Sequence, residues 1–172
     1  DVDHVTRLKL DMISESLDIR RLAKKKWAME VSSPSGKTTK MIGRHKHIDD
    51  VLWDIKWAKA VEFVDEPEKD FKKYKLLPKT SQRVSVWIKK KKNGPEVKKA
   101  FLLGSLVKKD KHYGRLDGTK RLFAFSKKDF DKIFRSSFDL SDRRLTKFGE
   151  EKDVVKVTAR FPGGDVILQR SG

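Results

Sequence analysis

The chain has 172 residues, enough for one domain with a hydrophobic core and too few for two ordinary ones. Lys and Arg number 42 against 25 Asp and Glu, a formal charge of +17, and an excess of that size predicts a polyanionic partner: RNA, DNA or an acidic membrane surface. Cysteine is absent, which excludes a disulfide framework and a thiolate zinc site, and no apolar run approaches the roughly 20 residues that a membrane-spanning helix needs.

The first residues, Asp1-Val2-Asp3-His4, lack the charged-then-apolar start of a signal peptide, and a start at Asp reads as a trimmed or excised chain. Residues 1–26 read as a basic arm leading into a domain over 27–172. Val5, Leu8, Met12, Ile13 and Leu17 fall at spacings of three to five, which predicts a helix from about Thr6 to Ala23. Arg20, Arg21 and the run Lys24-Lys25-Lys26 close it, either complementing the helix dipole or contacting a polyanion.

Trp27, Met29 and Val31 alternate as in a strand, Ser32-Ser33-Pro34-Ser35-Gly36 makes a turn, and 38–42 reads as the returning strand. Gly36-Lys37-Thr38 is not a phosphate loop, because that motif needs a Gly five residues before the Gly-Lys pair and Val31 stands there. From Ile48 to Ala60 the pattern predicts a helix capped by Asp49 or Asp50, with Ile48, Val51, Leu52, Ile55 and Ala58 as its apolar stripe. Trp53 and Trp57 sit beside that stripe, at the edge of the core or as a platform for bases or a membrane interface. His45 and His47 read as loop histidines, since no third ligand is in register for a metal.

A strand over 61–64 and a helix from Pro67 to Tyr74, ended by Pro78, come next. The clearest element is a hairpin. Val84, Val86 and Ile88 alternate with Ser85, Trp87 and Lys89; Lys90-Lys91-Lys92-Asn93-Gly94-Pro95 then breaks the run, and Val97 to Val107 resumes it. The stretch 108–118 reads as a loop, Leu122 to Phe125 as a short strand, and Ser126 to Asp129 as a capping box opening a helix with Phe130, Ile133 and Phe134 inside. Phe138, Leu140, Leu145 and Phe148 are spaced too irregularly to assign. Val154 to Phe161 and Val166 to Gln169, joined by Pro162-Gly163-Gly164-Asp165, predict a second hairpin. The sum is a single α+β domain, mostly antiparallel sheet, with roughly six to eight strands and about two to four helices.

No catalytic spacing stands out: there is no Gly-x-Ser-x-Gly elbow, no His-Glu-x-x-His and no cysteine nucleophile. Glu96-Val97-Lys98 matches two residues of the Glu-x-Lys found in metal-dependent nucleases, a third-ranked reading. No catalytic residue, metal site or cofactor is therefore assigned. Binding is better supported, with Lys24, Lys25, Lys26, Lys89, Lys90, Lys91, Lys92, Lys98, Lys99, Lys108, Lys109, Lys111, Lys127, Lys128, Arg143 and Arg144 as candidate polyanion contacts, and Trp53, Trp57 and Trp87 as candidate stacking or interface residues.

The segment 30–37, Glu-Val-Ser-Ser-Pro-Ser-Gly-Lys, followed by Met41-Ile42, the basic run 44–46 and the helix beginning Ile48-Asp49-Asp50-Val51-Leu52-Trp53, resembles the early core of rhabdovirus matrix proteins, particularly the plant-virus type. The resemblance implies a non-enzymatic protein, intracellular or in the virion, that self-associates as a homo-oligomer and bridges ribonucleoprotein and acidic membrane. The alternative is a sequence-nonspecific RNA- or DNA-binding module without membrane function.

Overall fold

The structure, a computed structural model, describes residues 1–64, 72–77, 81–91, 94–104, 110–119, 121–144 and 154–170. They fall in two compact units, 1–142 and 143–172.

The first unit is built on one open antiparallel sheet. Its strands are β1 (Val5–Asp11), β2 (Ser16–Ala23), β3 (Lys26–Ser32), β4 (Thr38–Gly43), β5 (Glu62–Val64), β6 (Ser81–Ile88), β7 (Val97–Gly104), β8 (Lys111–Leu116) and β9 (Leu122–Ser126), and they lie in the order β4-β3-β2-β1-β6-β7-β8-β9-β5. Helices α1 (His45–Trp57), α2 (Lys127–Ile133) and α3 (Ser137–Leu140) pack on one face. The core between them joins Leu8 and Leu10 of β1, Leu17 and Ile19 of β2, Trp27 and Met29 of β3 and Val84 and Val86 of β6 to Ile48, Val51, Leu52, Phe130, Ile133 and Leu140. Each fully buried aliphatic side chain there contributes about 1.5–3 kcal/mol of hydrophobic stabilisation. On the other face of β8 and β9 a smaller core gathers Tyr74, Leu76, Tyr113, Leu122 and Ala124.

The arm expected over residues 1–26 is instead the middle of the sheet, and the expected helix over 6–23 is two strands. The mixed spacings that imitate a helix arise because the apolar series crosses a turn. Leu8 and Leu10 before it, and Leu17 and Ile19 after it, each alternate with Arg7, Lys9, Asp18 and Arg20 at the period of a strand. The turn is closed by Met12 N–H donating to Glu15 O at 2.9 Å.

The second correction concerns 108–118, where Lys111–Leu116 is strand β8 rather than loop. Its polar composition hides it, because its strand character lies in burial of His112, Tyr113 and Gly114. Gly114 is required there: a Cβ would come within 2.5 Å of Leu103 Cδ2 and 2.7 Å of the Phe123 ring. Helix α1 starts at His45, its N-cap Arg44 makes no side-chain capping bond, and the expected caps Asp49 and Asp50 instead face His45 and Lys46 one turn back. The irregular stretch around Phe138 contains α3, whose Ser136 hydroxyl accepts from Asp139 N. The expected hairpin and the Ser126-capped helix are present as β6–β7 and α2, with residues 92–93 and 105–107 of the hairpin outside the described residues. Most of the expected helix from Pro67 lies outside the described residues, as do Pro78, Leu145 and Phe148, and residues 72–75 form turns.

The second unit is the predicted hairpin: β10 (Lys156–Phe161) and β11 (Gly164–Gln169) pair antiparallel, with Gly164 at a φ of 134° that disfavours any side chain. With eleven strands and three α-helices among the described residues, the chain is richer in sheet than expected.

Candidate polyanion interface

Antiparallel pairing decides which turns share an end of the sheet. The β2–β3 turn and the β6–β7 loop leave the sheet on the same side, because β1 between them pairs antiparallel with both β2 and β6. Lys24, Lys25 and Lys26 therefore share an end with Lys89, Lys90 and Lys91, although more than sixty residues separate the runs in sequence. Their midpoints are three strand spacings apart, about 14 Å. The β6–β7 loop is tied to the start of the chain by Lys89 N–H donating to His4 O at 2.9 Å. Lys92 lies outside the described residues.

None of these six lysines has a carboxylate partner among the described residues, and all but Lys89 are exposed. Apolar side chains stand out at the same end: Leu22, in the last turn-ward residues of β2, is 70% exposed, and Val97, the first of β7, is 51% exposed. Both follow from strand alternation failing where a strand runs past its neighbours and out of the core.

Elsewhere among the described residues several cations are paired. On the helix-free face of the sheet Arg7 holds Asp18 through Nε at 2.7 Å and Nη2 at 2.6 Å, Arg20 reaches the same carboxylate at 3.0 Å, and Lys9 pairs with Asp11 at 2.8 Å. Burial alone pushes the Asp18 carboxyl up, but hydrogen bonds from Arg7 and Arg20 outweigh it and hold it below the usual carboxylate range. Trp87 lies on this face with the Arg7 guanidinium 4.4 Å and the Lys98 ammonium 5.3 Å from its ring centroid, so its expected stacking surface is already taken by the protein's own cations. Lys99, one residue on, points to the opposite, helix-covered face, as its pairing with Val86 requires.

The other end of the sheet carries Lys111, Lys127 and Lys128. Lys111 bonds Glu62 at 2.8 Å, and that carboxylate raises the ammonium above its ordinary value. Lys127 pairs with Asp131, while Lys128 is exposed. Behind them, His112 stacks on Phe130 with ring centroids 3.7 Å apart and its Nδ1 lies 2.9 Å from Gly104 O; burial pushes this imidazole below its ordinary value of 6.5. Lys108 and Lys109 lie outside the described residues, and Arg143 and Arg144 belong to the second unit. The structure thus divides the described cations among two ends, two faces and a second unit.

Trp53 and Trp57 are 44% and 64% exposed, off the core, and Lys56 Nζ lies over both rings at 4.4 and 5.3 Å. Of the Glu-x-Lys pattern, Glu96 accepts from the Thr6 hydroxyl and Lys98 is spent on Trp87. Among the described residues no group of three or more His, Asp or Glu is placed to hold a metal ion, and no helix is long and apolar enough to cross a membrane. Sequence reasoning missed Leu22, whose position beside Lys24 was readable only once β2 was recognised as a strand.

A family model described as a domain of unknown function (DUF4340) matches residues 37–171, a stretch that takes in the β6–β7 loop and leaves the β2–β3 turn outside. No curated protein and no solved structure matches the chain.

Proposed function

We propose that this chain, which belongs to the DUF4340 family, is a non-enzymatic structural protein that binds the surface of an acidic membrane through the lysine-bearing end of its sheet. The observation that carries the reading is the gathering, with exposed Leu22 and Val97 at that end, of six lysines that have no carboxylate partner among the described residues. Lysines alone would serve any polyanion. Exposed aliphatic side chains among them favour a lipid surface, where each lysine contributes about 1 kcal/mol by attraction to acidic headgroups and the apolar groups enter the headgroup boundary. A nucleic acid backbone offers nothing for Leu22 to enter, and Trp87, on the helix-free face of the sheet, is covered by Arg7 and Lys98. This is the membrane-facing half of the role that a matrix-type resemblance implies.

Flotation with vesicles tests it. The chain floats with vesicles containing phosphatidylserine, does not float with phosphatidylcholine alone, and loses flotation in the variant Lys89→Glu, Lys90→Glu, Lys91→Glu. If it ignores acidic vesicles yet binds single- or double-stranded nucleic acid with a steep salt dependence, the nucleic-acid module replaces this reading.

A further inference from the structure

On the helix-covered face the sheet is not fully covered. Beside α1 and the first residues of the chain, over β6 to β9, runs a trough made of three adjoining cavities of about 540, 350 and 220 Å³. The first two share Ile88 and Lys99 in their walls, and the second and third share Ile55, Phe101 and Leu116. The two larger volumes lie in the range of small-molecule sites, and the third extends them.

The trough changes character along its length. The far cavity is lined only by apolar side chains, among them Ala58, Phe63, Phe123 and Phe125. The middle one adds Lys56 and Lys99, and the near one adds Lys90 and Lys91. Among the described residues lining the three, Asp1 alone is acidic, and its Oδ1 accepts from Asp3 N. Lys99 is the informative residue. It lies between Val97 and Phe101 on the face of β7 that looks into the trough, opposite buried Val86, and no carboxylate pairs with it among the described residues. A lysine in that position interrupts an apolar floor and leaves a cation at the boundary between the apolar and the basic parts.

We infer that this trough is a binding site for a single-chain amphiphile with an anionic head, its acyl chain lying in the apolar part over Phe101, Leu116 and Phe123 and its head against Lys99, with Lys56 beside it. From β7, which carries Lys99 and Phe101, to β9, which carries Phe123, the apolar part crosses two strand spacings, about 10 Å, which takes the greater part of a medium-length extended acyl chain. An apolar channel orients the ligand by burial and a small number of charged groups fix its polar end, the usual division of labour in such sites. The near cavity shares Lys90, Lys91 and Val97 with the membrane-binding end, whereas the middle and far cavities, which take the head and the acyl chain, are lined by none of the six lysines of that end.

The test titrates the full chain with dodecanoate below its micellar concentration, following heat and the fluorescence of Trp53 and Trp57, which flank Lys56. One saturable dodecanoate site is expected, with dodecanol bound about tenfold more weakly for want of the ion pair. Lys99→Glu, an exposed position that leaves the core intact, weakens dodecanoate about tenfold and strengthens dodecyltrimethylammonium. Leu116→Trp, at a half-exposed position, fills the channel and removes binding of both. A chain carrying Lys24→Glu, Lys25→Glu and Lys26→Glu, weakened toward acidic vesicles, still binds dodecanoate. Absence of a saturable site, equal binding of dodecanol, or affinity unchanged in Lys99→Glu would each overturn the inference.

Discussion

The two ends of the sheet carry similar lysines and use them differently. At one end Lys111 and Lys127 are matched by Glu62 and Asp131, so the first pair ties β8 to β5 and the second closes within α2. At the other, Lys24 to Lys26 and Lys89 to Lys91 stand in two turns that strand order brings together, with no carboxylate paired to them among the described residues and Leu22 and Val97 beside them. Composition cannot distinguish these ends; neutralisation can. A cation already paired is part of the fold, and one left unpaired among exposed apolar side chains is available to a partner.

The contrast is sharpest under charge reversal. Replacing Lys89, Lys90 and Lys91 by Glu removes about 3 kcal/mol of surface attraction before repulsion is counted, so partitioning to acidic vesicles falls more than about a hundredfold. The same exchange at Lys111, Lys127 and Lys128 leaves partitioning within about threefold, the part owed to net charge alone. Equal losses at both ends would break the distinction. Exchanging Leu22 and Val97 for Ser gives the next largest effect, roughly a tenfold loss of vesicle binding with the melting temperature unchanged, because neither side chain is in the core.

Acidification separates the ends by stability. His112, behind the paired end, stays neutral in the fold below the pH at which it protonates in the unfolded chain, since burial lowers its pKa from 6.5. The unfolded chain then binds more protons, so stability is full above about pH 6.5 and declines as the pH falls below it. His112→Leu removes that decline in urea titrations at pH 7.5 and 5.5. Among the described residues no buried histidine lies at the lysine-bearing end, and vesicle binding by the folded chain is expected to be flat across the same interval. Smallest of all, Lys127→Ala costs about 0.3 kcal/mol through loss of its i,i+4 pair, measured by urea unfolding, whereas Lys90→Ala leaves stability unchanged.

Much of the local structure was readable from the sequence because it is announced locally. The Asn-Gly-containing loop between alternating runs marks β6 and β7, and Ser126 with Asp129 marks the start of α2. The missed elements fail that condition. Strands β1 and β2 merge into one apolar series when the turn at 12–15 is overlooked, and β8 spells its burial with His, Tyr and Gly. The candidate interface was legible only as an inventory of lysines. Its assembly depends on β1 lying between β2 and β6, a crossover that brings Lys24 near Lys90 and that no local pattern encodes. The pairing that silences Lys111 is likewise a contact across 49 residues of sequence.

Because the chain has no cysteine, single positions can be labelled without background. Leu22→Cys and Lys128→Cys, each carrying an environment-sensitive nitrobenzoxadiazole dye, compare the two ends on the same vesicles. Blue-shifted, intensified emission from position 22 and unchanged emission from position 128 on adding phosphatidylserine vesicles is the result predicted for insertion of the lysine-bearing end. No shift at position 22 while the chain floats, or a larger shift at position 128, would contradict it.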